Sequence, residues 1–143
     1  MATNTDNIYT SIIGSGVLFP IELNTNDNGN VGWYPVEGNT KLIDNNLEAL
    51  LLYQLGERFR EENFGTRLWE CIEEGNTQAQ AYLINAFMKE AISTWEERIT
   101  YKGTSIIREG SKLNIEFTYV INDTGISNVG TITYDASNNS LNI

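Results

Sequence analysis

The chain is expected to adopt an α+β fold in which three helices of the N-terminal and middle part pack on a small C-terminal antiparallel sheet. Between residues 42 and 95 apolar side chains recur at helical spacing, whereas from 99 onward they alternate with period two. The helices come before the strands instead of between them, which favours an antiparallel sheet with helices on one face over a parallel sheet.

The elements follow in order. Residues 24–32 (NTNDNGNVG) read as a loop, because Asn, Asp and Gly favour turn conformations. A calcium loop is disfavoured there, since the first position lacks Asp and Pro35 stands where a closing Glu is needed. From Leu42 to Leu55 the residues Ile43, Leu47, Leu50, Leu51 and Leu55 form one helical face, and Gly56 supplies a stop. A short helix is expected from Thr66 to Glu74, carrying Leu68, Trp69 and Ile72 and ending at Gly75. Thr77 can cap the third helix, whose stripe is Leu83, Ile84, Phe87, Met88, Ala91, Ile92 and Trp95. Leu113, Ile115, Phe117, Tyr119 and Ile121 then mark a strand with one buried face. Segments 99–108 and 129–134 flank it, and residues 140–143 could add a fourth strand.

With 143 residues the chain is read as one domain, 1–143, in which folding buries roughly 70% of the unfolded surface. A flexible polar N-terminus (about 1–10), a helical part (about 40–98) and the sheet (99–143) divide it, with no Pro- or Ser-rich linker. A balance of 9 basic to 19 acidic residues, net −10, repels phosphate, so nucleic acid and anionic membrane are poor partners. No signal sequence or membrane span is expected. Cys71 is the sole cysteine, which rules out an internal disulfide and suits a small buried residue in a reducing compartment. No histidine is present, so Ser-His-Asp and Cys-His nucleophiles and histidine-ligated zinc are excluded. No cofactor, metal or catalytic residue is expected. Gly14 and Gly16 do not make a phosphate loop, because the third glycine and the following helix are missing; Phe19 is expected to plug into the core.

Four segments form an ordered set: Gly14-Ser15-Gly16-Val17-Leu18-Phe19-Pro20; Gly56-Glu57-Arg58 with Asn63-Phe64-Gly65; Trp95-Glu96-Glu97-Arg98-Ile99; and Leu113-Asn114-Ile115-Glu116-Phe117-Thr118-Tyr119. The set resembles the baseplate wedge and sheath-initiator family of contractile tails, whose members are often labelled lysozyme-like. That pattern carries Pro where this chain has Glu62 and Glu97, so two turns lose a rigid residue.

The resemblance implies a non-enzymatic structural protein of a virion tail baseplate, assembled in the host cytoplasm. It would dock on other wedge subunits, contact tail sheath protein and, further in, central hub or tube proteins, in about six copies set by the particle's symmetry. Glu57, Arg58, Glu96, Arg98 and Ile99 are the partner-binding and structural motif, and Glu57 and Arg98, joined by Glu96 and Arg58, are expected to form an ion-pair cluster near the helix-to-sheet junction. Reversing Arg98 should then abolish wedge binding in a domain that still folds. Val129, Thr131, Ile132, Thr133 and Tyr134 lack Lys, Arg and Pro, and form the edge expected to pair with a sheath strand. An equivalent subunit of a type VI secretion system or an extracellular contractile injection particle is the alternative. A glycosidase is disfavoured, because Arg58 and Arg98 lie beside the best candidate acids, Glu57 and Glu96, and a general acid must keep its proton.

Overall fold

The computed structural model describes residues 13–73 and 78–143, and the chain divides into two compact units, residues 1–46 and 47–143. The polar start at 1–10, the helix stop at Gly75 and the cap at Thr77 lie outside the described residues.

In the first unit, β1 (Ser15–Gly16) pairs antiparallel with β4 (Val36–Glu37), and β2 (Asn24–Thr25) with β3 (Val31–Gly32). The Asn-rich stretch is the tip of the β2–β3 hairpin. There the Asn26 side-chain oxygen accepts from the N–H groups of Asn28 (3.1 Å) and Asn30 (2.9 Å), which commits it to the turn. Phe19 is a correction to the expected core: it is 66% exposed, on a segment that lies between β1 and β2 and pairs with neither. The Asn39 side chain accepts from the Lys41 N–H at 2.9 Å and opens helix α1 (Lys41–Leu52).

Helix α1 ends three residues before the expected Leu55, for a reason in the second unit. The Tyr53 carbonyl accepts from the Thr66 N–H (2.9 Å) and the Thr66 carbonyl from the Leu55 N–H (3.3 Å), so the backbone turns aside to bridge residue 66. The Thr66 hydroxyl, itself buried, donates to the Leu51 carbonyl at 3.2 Å and satisfies an acceptor left over at the helix end.

Helices α2 (Leu68–Glu73) and α3 (Gln78–Trp95) follow. They are tied by Gln80, a buried amide that donates to the Cys71 carbonyl at 2.8 Å. Strands β5 (Ile99–Glu109), β6 (Lys112–Ile121), β7 (Ser127–Asp135) and β8 (Ser140–Asn142) form one antiparallel sheet in that order. The core is continuous from Leu47, Leu50 and Leu51 through Leu68, Ile72, Ile84, Met88 and Ile92 to Leu113, Ile115, Phe117, Ile121 and Ile132, all buried. Each such side chain contributes roughly 1.5–3 kcal/mol by leaving water. Helix α3 packs on β5, where the Tyr101 hydroxyl reaches Asn85 (2.5 Å) and also Thr104.

Candidate docking junction and strand-accepting edge

Two of the motif segments meet at the end of α3. The Trp95 indole N–H donates to the Asn63 carbonyl at 3.2 Å, and the Phe64 ring stands edge-on to Trp95 (5.2 Å) and to Tyr53 (5.9 Å). Arg58 lies over the other part of this aromatic group, its guanidinium 4.4 Å from the Phe64 centroid. Sequence reasoning named these segments but not this contact. The signal was the pairing of an aromatic in each motif, Phe64 and Trp95.

The four charges expected to cluster are used in three different ways. Glu96 is 4% exposed. Its two oxygens accept from the Arg98 guanidinium at 2.5 and 2.6 Å, a two-pronged ion pair that closes the α3–β5 corner. Arg98 is held more firmly protonated than usual, first by this hydrogen bonding to Glu96. Glu57 instead accepts from the Gln54 N–H at 3.0 Å, inside its own turn. Arg58 stacks on Phe64. Ile99 is buried directly after the pair and begins β5. Only Glu96 and Arg98 of the charged four are thus joined as an ion pair among the described residues, and the single-cluster arrangement is corrected to a corner plus a separate turn.

At the sheet, hydrogen-bond phase decides which residues face outward. The Ile121 N–H donates to the Ile126 carbonyl at 3.0 Å, and the β6–β7 register runs unbroken from there. Alternate pairs are hydrogen-bonded in an antiparallel ladder. Asn128, Gly130, Ile132 and Tyr134 therefore bond to β6, and Ser127, Val129, Thr131 and Thr133 direct their backbone groups outward. Strand β8 covers the far half, pairing Thr133 with Asn142 and Tyr134 with Leu141. The expected edge is therefore cut in two. Val129 and Thr131 remain unpaired by any strand among the described residues; Ile132 is turned inward, and Thr133 and Tyr134 lie under β8. Opposite, the outer side of β5 is also an edge among the described residues, but a bulge between Tyr101 and Gly103 breaks it, and Lys102 and Arg108 stud it.

The sequence profile of the family described as baseplate wedge protein gp25 matches residues 38–125, more than half of the chain. The chain belongs to that family. It is a component of a contractile-tail baseplate. The match leaves out the Gly14–Pro20 segment, so that part of the resemblance rests on the residues alone. Solved structures share the fold. A Geobacter sulfurreducens protein named as a tail lysozyme superposes with TM-score 0.61 at 22% identity, covering 66% of this chain and 88% of that one. A chain of the postcontracted pyocin R2 baseplate gives 0.56 at 16%, covering 71% and 99%. A chain of the anti-feeding prophage baseplate gives 0.58 at 19%, covering 90% of each. No curated protein matches the chain in sequence.

Proposed function

We propose that this baseplate wedge protein is a non-enzymatic subunit that docks on other wedge proteins through the junction around Glu96, Arg98 and Ile99 and starts sheath assembly by accepting an extended strand on the outer side of β7. The observation that carries the reading is the half-covered edge at Ser127, Val129 and Thr131. Its backbone donors and acceptors face outward, and its side chains include no charge or proline to deter pairing. An added strand gains main-chain hydrogen bonds with little demand on its own sequence, which suits a seed that must pass the same geometry to each sheath subunit. Sixfold symmetry of the anti-feeding prophage baseplate supports six copies per particle. Virion assembly in a host cytoplasm is part of the same proposal, and the neighbouring genes test it. Capsid and terminase genes assign a phage; secretion-ATPase genes assign a secretion system.

Replacing Thr131 by Pro removes an outward N–H and is expected to leave the fold and baseplate incorporation intact while sheath polymerisation stops. Ile132→Pro instead cuts the β6–β7 ladder and is expected to lower stability by about 3 kcal/mol or more. Normal sheath growth on Thr131→Pro baseplates would overturn the strand-addition reading. For the lysozyme-like name carried by one structural relative, Glu96 accepts the Arg98 guanidinium through both oxygens and serves the α3–β5 corner, a structural use for the buried one of the two candidate acids. Peptidoglycan turnover by the purified protein would count against the non-enzymatic reading.

A further inference from the structure

Strand β8 gives its sheet much less than the other three strands do. It is 3 residues long and none of them is buried, whereas β5, β6 and β7 supply Ile99, Ile115 and Ile132 to the core. Its pairing with β7 is confined to Thr133, Tyr134 and Asp135. Hydrogen bonds in so short and open a ladder gain little over those to water, and ordering the segment costs backbone entropy. Strand β8 therefore opens more easily than the rest of the sheet. The strand beneath does not depend on it: β7 is paired with β6 along its whole length, and the Tyr134 ring stands edge-on to Trp69 of α2 at 6.1 Å.

The turn that leads into β8 changes character at Ala136. Up to that point it is fastened by backbone, since the Ala136 N–H donates to the Ser111 carbonyl at 2.9 Å and Asp135 pairs with Lys112. Beyond it the holding contacts are exposed side-chain hydrogen bonds, from the Ser137 hydroxyl to Asp135 at 2.6 Å and from the Tyr134 hydroxyl to the Asn139 side chain at 3.1 Å. Rotation within residues 137–139 thus moves β8 and leaves β7 where it is. Strand direction completes the geometry. Strand β8 runs from Ser140 opposite Asp135 to Asn142 opposite Thr133, so its end far from the turn adjoins Ser127, Val129 and Thr131, which no strand among the described residues covers.

We infer that β8 is a displaceable cover: an arriving strand first pairs at Ser127, Val129 and Thr131, then peels β8 back from Asn142 toward the turn and takes its place along Thr133 and Asp135. The inference rests on the reading of β7 as the strand-accepting edge, and adds to it the extent of the accepted strand and the fate of β8. The acceptor becomes the whole of β7, 9 residues. Each ladder bond that β8 gives up is replaced by one of the same kind, so the exchange itself costs little, and the new bonds at the uncovered positions drive it. Before assembly the same cover keeps the outward N–H and C=O groups of Thr133 and Asp135 from pairing with another copy, which blunts the edge until the proper strand arrives.

The test locks the cover. Tyr134 and Leu141 face each other as a non-hydrogen-bonded pair, whose Cα atoms in such ladders stand about 4.5 Å apart, within reach of a disulfide. Purified baseplates carrying Tyr134→Cys with Leu141→Cys are expected to nucleate sheath about tenfold more slowly oxidised than reduced, because the bonds at Thr133 and Asp135 are withheld. Equal rates in the two states would overturn the inference. Hydrogen exchange on wild-type baseplates, read by mass spectrometry, decides independently of any substitution. Once sheath is attached, residues 138–143 are expected to exchange faster than in the free protein, with residues 133–135 still protected. Continued protection of 138–143 under attached sheath would also overturn the exchange. The two proposals fail apart. Blocked growth on Thr131→Pro together with equal rates for the locked and unlocked pair leaves strand addition on the uncovered positions and removes the displacement of β8. Normal growth on Thr131→Pro removes both.

Discussion

Gly65 has φ +119, and a Cβ added there would lie 2.6 Å from the Tyr53 carbonyl oxygen and 3.0 Å from the backbone of Gln54. Both the conformation and the space demand glycine, because the bridge between Tyr53 and Thr66 brings two backbones together. Gly65→Ala is expected to destabilise the protein by about 2–4 kcal/mol, read from chemical denaturation. Arg98 matters at the same scale through its partner. Glu96 is 4% exposed, so removing the guanidinium strands a buried carboxylate. Arg98→Ala is expected to cost roughly 2–4 kcal/mol, less than for a fully enclosed pair because the Arg98 side chain keeps 22% of its exposure. Charge reversal at Arg98 therefore tests folding along with docking. Arg98→Lys, which keeps the charge but not the fork, is the better probe of the wedge contact. A measured loss under 1 kcal/mol for Arg98→Ala would mean that the corner is held by other contacts.

Among the elements, β7 is shaped by its neighbours on both sides. Gly130 faces Phe117 across the ladder, and the Phe117 ring occupies the space a Cβ would need, so an aromatic ring covers the gap left by the missing side chain. On the other side, the turn into β8 is held by Asp135. Its carboxylate accepts from the Ser137 hydroxyl at 2.6 Å and the Ser137 N–H at 3.0 Å. The Ser137 hydroxyl is the largest cause holding Asp135 below the ordinary carboxylate range. With the folded value depressed, the stabilising contribution is complete above the unfolded value, about 3.9, and is lost as pH falls through the folded one. Below about pH 4, faster amide exchange at Asn142 is expected, with the β6 amides still protected. Asp135→Asn should abolish that acid step. Persistence of the step in the variant would assign it to another carboxyl group.

For the whole molecule, charge and the open edge work against each other. A net charge of −10 keeps copies apart, while the side of β7 that no strand among the described residues covers offers a template for joining them. Repulsion vanishes near the isoelectric point, about 4.3. Light scattering is expected to rise as pH approaches that value, and Thr131→Lys is expected to suppress the rise by placing a cation on the edge. Equal scattering by wild type and Thr131→Lys would show that association runs through some other surface.

Periodicity in the sequence was enough to determine the α+β class, the three helices and the strand from Leu113 to Ile121, because burial of one face writes a period of 3.6 or 2 directly into the residues. The motif segments were legible too, and with them the family. Tertiary structure alone decided where α1 stops, since Leu55 keeps the helical spacing yet its N–H is drawn to Thr66. It likewise decided that Phe19 is outside and that Glu57 serves Gln54 and not Arg98. The division of the β7 edge belongs here as well. Alternation tells which side chains are buried, but the direction of each N–H is set by the hairpin at Ile121–Ile126, and coverage is set by where β8 returns. Those are relations between segments, and a one-dimensional pattern carries them only through the residues that happen to meet.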